Sequence, residues 1–330
     1  MRASDGGPVP QDNEYPLVIP VMSAAGGVGR STVTALLAAA LHQHTSDSRG
    51  RAVAVCDTQP RCASPWPGWL DHAAERGTSW LSECAADAQR FTLEVRRSTS
   101  AISTGTGQPI WVLTDTGPLS AGYSGSGPGP WFWAPALPYL RAAVIDGDPL
   151  EGFRLARHHA GGEPGTASAW MALPSARTAG LWVTDPSPVG LSRTLEAMTA
   201  AESCGLAMEQ IVVAVNDAHG HGWAPRSRSR RTLLADRVGA IVEISHDAEL
   251  RRGDCPSASP ERVAQRDVTA LLDAVLAAAG RPVPGPTAVP DLAPEPAPAL
   301  GPGPGSAPEP APAPAERTSW NAAYPVPASG

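Results

Sequence analysis

The sequence contains no lysine; all 25 of its basic residues are arginine. Cationic chemistry in this chain therefore falls to a planar, permanently charged guanidinium instead of a compact ammonium. Acids outnumber bases to give a formal net charge of −7, so no bulk attraction to nucleic acid or anionic lipid is implied. Cysteine is scarce. Cys56, Cys62, Cys84, Cys204 and Cys255 are odd in number and scattered, with no C-x-x-C pair. That pattern reads as a reduced cytoplasmic protein with no zinc site. No apolar run approaches the ~18 residues of a membrane span. The opening Met1-Arg2-Ala3-Ser4-Asp5 lacks the basic start and long apolar core of a signal peptide.

Against these absences stands one stretch, Ser23-Ala24-Ala25-Gly26-Gly27-Val28-Gly29-Arg30-Ser31-Thr32. Before it, Tyr15 to Met22 is apolar and β-prone and reads as a buried strand. After it, Val33, Leu36, Leu37, Ala40 and Leu41 fall on one face of a helix. A strand, a glycine-rich turn and a helix form the context of a phosphate-binding loop. Glycines let several backbone N–H groups converge on one anion, and the helix N-terminus adds positive partial charge. The plainer alternative is a glycine-rich turn without a ligand.

The stretch resembles the deviant Walker A loop of the MinD/ParA family of P-loop ATPases, roughly KGGVGK followed by Ser or Thr. Gly26, Gly27, Val28, Gly29, Ser31 and Thr32 match. Arg30 stands at the Walker lysine position and Ala25 at the signature-lysine position. The resemblance implies ATP and Mg²⁺ as cofactors, with residues 25 to 32 against the phosphates and the Ser31 hydroxyl on the metal. Ala25 cannot reach a partner subunit's phosphates as the signature lysine does. The nucleotide-dependent homodimer implied by the family therefore lacks its usual bridge.

Further segments follow in the family's order. Ala52 to Asp57 reads as a second buried strand, and Asp57-Thr58-Gln59-Pro60 resembles the family's D-x-D-P turn. Asp57 and Gln59 are thereby the candidate catalytic residues. Gln59 can orient water but cannot serve as a carboxylate. The other reading of Asp57 is a strand-end turn residue. Two strands compete for Walker B, one ending at Asp146 and one at Asp115. Spacing to the neighbouring segments favours Asp146 as the residue holding Mg²⁺ through water, with Asp115 the alternative. Ile211 to Val215 is another buried strand, ending in Asn216 where the family reads adenine; a turn residue is again the alternative. Ser245-His246-Asp247-Ala248-Glu249-Leu250-Arg251 resembles the turn that lines the base, which adds Asp247.

Outside these motifs, Pro65-Trp66-Pro67-Gly68-Trp69 is a stiff aromatic segment, and a helix is expected over 79–88. Residues 117–138 form a Gly/Ser/Pro-rich loop with Tyr123, Trp131, Phe132 and Trp133, either a lid or partner surface or a satellite core. Arg226, Arg228, Arg230 and Arg231 alternate with serines in what reads as a solvated loop, a phosphate clamp or a nonspecific DNA contact. His219, His221 and His246 lack metal-ligand spacing.

The reading is an α/β fold, a mostly parallel twisted sheet with helices on both faces, over residues 15–280. Residues 1–14 form a flexible lead, and 281–330 a disordered Pro/Ala/Gly-rich tail that carries a protein-docking end or acts as a spacer. The expected function is an ATP-binding positioning, partition or assembly factor with weak or lost hydrolysis. The alternatives are a nucleotide-free scaffold in a secretion or conjugation apparatus, and an active DNA-partition ATPase using Arg30 and Gln59.

Overall fold

β1 (Leu17–Ser23) is buried along its whole length, and its side chains divide between two faces. Leu17, Ile19 and Val21 enter one apolar cluster, while Val18 and Met22 enter two others. The period of two in a strand requires this split, and a strand covered on both sides must therefore read as a continuous apolar run. β7 (Gly180–Thr184) repeats the pattern, with Leu181 and Val183 on one side and Trp182 on the other.

The structure, a computed structural model, describes residues 15–44, 51–59, 63–70, 99–102, 110–114, 137, 140–149, 151–159, 166–174, 176–251 and 262–280. The remaining strands are β2 (Ala52–Asp57), β3 (Thr99–Ile102), β4 (Ile110–Leu113), β5 (Leu140–Asp146), β6 (Arg177–Thr178), β8 (Ile211–Asn216) and β9 (Ala240–Ile244). They form one sheet in the order β3-β4-β2-β5-β1-β7-β8-β9, with β6 pairing to β1. β3 runs antiparallel to β4, and the other pairings are parallel. Parallel pairing requires crossovers, and the helices supply them.

α1 (Arg30–His44) follows β1, and its Ala- and Leu-rich sequence suits a helix buried on most of its surface. α2 (Trp66–Trp69) is a single turn, and α3 (Glu151–His159) and α4 (Thr166–Met171) follow β5. α5 (Pro188–Ser203) is capped by the Ser187 hydroxyl, which accepts from Gly190 N at 3.0 Å. α6 (Pro225–Ala235), α7 (Ala248–Arg251) and α8 (Arg262–Ala279) complete the set. α1 and α8 cover one face through Val33, Leu37, Leu271 and Val275. α3 and α5 cover the other through Leu155, Leu191 and Met198, and α4 adds Trp170.

The expected class is thus observed: a mostly parallel sheet sandwiched by helices. Several elements differ from the sequence reading, among them β6 and the short helix α7, read as a turn. The arginine–serine stretch begins a helix, α6, at Pro225, where a residue with no N–H and a fixed φ suits the first turn. Only Ser227 and Leu234 of that helix are buried, so its apolar period is too sparse to read. β3 was not expected either; Thr99-Ser100-Ala101-Ile102 is a weak strand sequence held by pairing to β4. The helix expected over 79–88, residues 1–14 and 281–330, Asp115, and all of 117–138 except Leu137 lie outside the described residues.

Leu271 is fully buried among α1 and the central strands. Leu271→Ala is expected to lower unfolding free energy by about 2–5 kcal/mol, the usual cost of such a cavity. Urea denaturation would measure it, and a loss under ~0.5 kcal/mol, the range of surface substitutions, would show that α8 is peripheral.

Candidate functional site

The loop between β1 and α1 has the backbone of an anion cradle. Gly27 and Gly29 hold φ at +77° and +80°, the left-handed region that favours glycine. Gly26 and Gly27 are exposed, Val28 is buried, and Ala24, Ala25, Gly29, Ser31 and Thr32 are half-buried. The first helical bond, from Val33 N to Gly29 O at 2.9 Å, leaves the N–H groups of the first turn without helical acceptors. Asn216, at the end of β8, donates from Nδ2 to Val28 O at 2.9 Å. A Cβ on Gly29 would sit 2.2 Å from that nitrogen, so the loop and Asn216 fit only with glycine there. The amide expected to read adenine therefore braces the loop.

Arg30, the first residue of α1, turns inward. Its Nε donates to Asp146 Oδ1 at 2.9 Å, Nη1 to Ser23 Oγ at 3.3 Å, and Nη2 to Gln59 Oε1. The pair is buried, with Arg30 at 7 % and Asp146 at 0 % exposure. The other carboxylate oxygen, Asp146 Oδ2, accepts from Gln59 Nε2 at 2.6 Å and from the Trp66 indole at 2.7 Å. Parallel registry creates this meeting, since β5 lies between β1 and β2 and pairs Asp146 with both Val21 and Asp57. A single-turn helix then carries Trp66 against the same carboxylate, with Trp69 packed edge-on at 5.1 Å between ring centroids.

Gln59 joins the two acids. Its Nε2 also lies 3.3 Å from Asp57 Oδ1 and 3.2 Å from Ser31 Oγ. Asp57 accepts further bonds from Gln59 N at 3.1 Å, Ser64 Oγ at 2.5 Å and Thr114 Oγ1 at 2.6 Å. Burial, and then the charge of Asp146, push the Asp57 carboxyl up to about 7, against the pull of those hydrogen bonds. Next to it, burial also raises the Cys56 thiol, leaving it protonated and unreactive.

Mg²⁺ does not fit the residues as they stand. Both Asp146 oxygens are engaged by protein donors, and a guanidinium occupies the flank a metal would need. Among the described residues no group of three or more His, Cys, Asp or Glu could hold a metal ion. A nucleotide's phosphates fit better, because the loop backbone remains open at Gly26 and Gly27.

The other sequence-predicted residues lie elsewhere. Asp247 accepts from Leu250 N at 3.2 Å, as the cap of α7. On α6, Arg231 pairs with Glu243 at 2.7 Å and lies 5.4 Å from the Trp223 ring centroid. Arg230 donates to Ser192 Oγ at 2.7 Å, whereas Arg226 and Arg228 are exposed. Sequence reasoning missed Ser23, Ser64, Trp66 and Thr114. The one available signal was a proline-flanked tryptophan shortly after Asp57.

No protein-family model and no curated protein matches the sequence. Solved structures do match, and they give the chain its class, the MinD/ParA-like P-loop ATPase fold. A ParA family ATPase from Chlorobium tepidum TLS superposes with a TM-score of 0.55 at 16 % identity, over 80 % of this chain and 98 % of that one. An ATP complex of a Cyanothece McdA variant gives 0.52 at 16 % identity, over 79 % and 97 %. The MinC:MinD cell division complex of Aquifex aeolicus gives 0.51 at 16 % identity, over 81 % and 97 %. Among the described residues no helix is long and apolar enough to cross a membrane.

Removing one partner of a buried ion pair strands the other charge, so Arg30→Ala and Asp146→Ala should each cost about 3–5 kcal/mol of stability. The double variant should cost less than the sum, and chemical denaturation of the full cycle measures the difference. Simple additivity would show that the pair does not couple.

The raised Asp57 sets a direction for pH dependence. The unfolded carboxyl ionises near its ordinary value of 3.8, while the folded one keeps its proton to about 7. The native state therefore binds more protons in that window, and this group's contribution falls as pH rises from about 4 to about 7. Asp57→Asn should flatten the stability profile there, as thermal melts across the range would show. An unchanged slope would place the titration elsewhere.

Proposed function

We propose that this chain binds a nucleotide through its glycine loop without hydrolysing it, and serves as a nucleotide-sensitive positioning, partition or assembly factor. The observation that carries the reading is the closed network of Arg30, Asp146, Gln59 and Trp66 beside an open loop backbone. Hydrolysis in P-loop proteins needs a mobile cation on the phosphates, a metal carboxylate and a group that positions water. Here the residues at those three places bond to one another. The fold supports the nucleotide itself, since it is the fold of the ATP-bound McdA variant, and the MinC:MinD complex shows a partner carried on it. In this chain the partner surface would be the 117–138 segment or the 281–330 tail. Arg226 and Arg228 are the exposed cations for nonspecific DNA, and a homodimer would form without a signature lysine.

A second reading has its own support. Asn216 and Arg30 are both committed to internal bonds, which suits a scaffold that has lost nucleotide altogether. One experiment separates the two: calorimetric titration of the chain with ATP and ADP, with Gly29→Asp as the control. Binding at ~100 μM or tighter, about 5.5 kcal/mol, that vanishes in the folded control supports the proposal. Phosphate release should stay at background. ATP turnover abolished by Arg30→Ala would overturn the loss of hydrolysis, and absence of binding at millimolar nucleotide would favour the scaffold.

A further inference from the structure

A divalent ion in a phosphate site neutralises the phosphate and ties it to a protein carboxylate. Among the described residues, the carboxylate expected to serve that purpose, Asp146, already holds a cation. The Arg30 guanidinium sits on Oδ1 at 2.9 Å, and Trp66 and Gln59 occupy Oδ2 at 2.7 and 2.6 Å. A metal entering here would have to strip all of these donors from a carboxylate with no exposed surface. It would also approach a fixed positive charge.

The guanidinium has not used all of its capacity. It carries five N–H donors, and its bonds to Asp146, Ser23 and Gln59 use three. Two remain on a residue that begins α1, directly after the glycine loop. A planar fork can serve a carboxylate on one edge and a phosphate on another, as a spherical ammonium cannot.

Resting on the nucleotide-binding reading above, we infer that Arg30 is the resident cation of this site and that the loop takes its nucleoside phosphate without a divalent metal. Arg30 bridges Asp146 and the ligand, Gln59 and Trp66 hold the carboxylate closed, and Mg²⁺ competes for the ligand in solution instead of accompanying it.

The test titrates the full-length protein with ATP and with ADP, once in excess EDTA and once in excess magnesium chloride. In parallel, Mn²⁺ is added with and without ATP and followed by its electron paramagnetic resonance signal. The expected result is binding in EDTA that is equal to or tighter than binding in magnesium, with no protein-bound Mn²⁺ signal. Affinity higher in magnesium by about tenfold or more, about 1.4 kcal/mol, would overturn the inference while leaving nucleotide binding intact. A bound Mn²⁺ signal that requires both protein and ATP would overturn it likewise. Absence of binding under both conditions would overturn the nucleotide reading itself, and the inference with it.

Discussion

The buried contact between the Arg30 guanidinium and the Asp146 carboxylate is the constraint on which the rest of the site depends. Taking both ions out of water costs several kcal/mol each, and their mutual attraction offsets this only when the remaining donors and acceptors are also satisfied. The surroundings meet most of that condition and leave two guanidinium N–H groups over. Ser23 and Gln59 accept from the guanidinium, while Gln59 and Trp66 donate to the carboxylate. The Asp146 carbonyl also accepts from Thr58 N and Thr58 Oγ1, each at 3.0 Å, which fixes the β2 end against β5. Ser23, Gln59 and Trp66 thus supply hydrogen bonds that an ion pair at this depth needs.

From this follows a link between two departures that look independent in the sequence. Position 30 holds arginine and position 59 holds glutamine, each a departure from the motif that the sequence resembles. An aspartate at 59 would add a third carboxylate to the buried pair of Asp57 and Asp146, with only acceptors to offer. The amide instead donates to both acids and accepts from Arg30. Lysine at 30 would present a point charge on a flexible stem, whereas the guanidinium spans Asp146, Ser23 and Gln59 in one plane. Arginine and glutamine therefore form a matched set, and neither alone would close the network.

Much of the architecture was legible in the sequence, for a physical reason. Strands β1, β2, β5, β7 and β8 are covered on both faces, so they appear as unbroken apolar runs. The loop was legible because positive φ at two positions calls for glycine. Less of the site could be read. Trp66 meets Asp146, and Thr114 meets Asp57, only through the strand order, which no local pattern encodes, while Ser64 reaches Asp57 through the turn after β2. The direction of Arg30 was hidden too: a cation beside a phosphate loop reads as given wholly to the ligand, whereas three of its donors turn inward to Asp146, Ser23 and Gln59. The helical stretch with Arg226 and Arg228 read as a loop because its buried side is two residues wide.

The network closes around Arg30 and Asp146 while the glycine loop beside it stays open at Gly26 and Gly27. The loop is shaped from two sides that differ in kind. Arg30 anchors its helical end to β5 through charge, and Asn216 anchors Val28 to β8 through one amide bond. The first anchor is buried and strong. The second is a single neutral hydrogen bond, worth ~1 kcal/mol net. The weaker anchor ties the loop to β8, whose neighbour β9 has Ala240, Ile241 and Val242 half-buried and Glu243 paired with Arg231 of α6. A closed ion-pair network and a loosely held loop are compatible: under the proposed reading, the network would hold the fold without a metal, and the single amide bond would let the loop adjust to a phosphate.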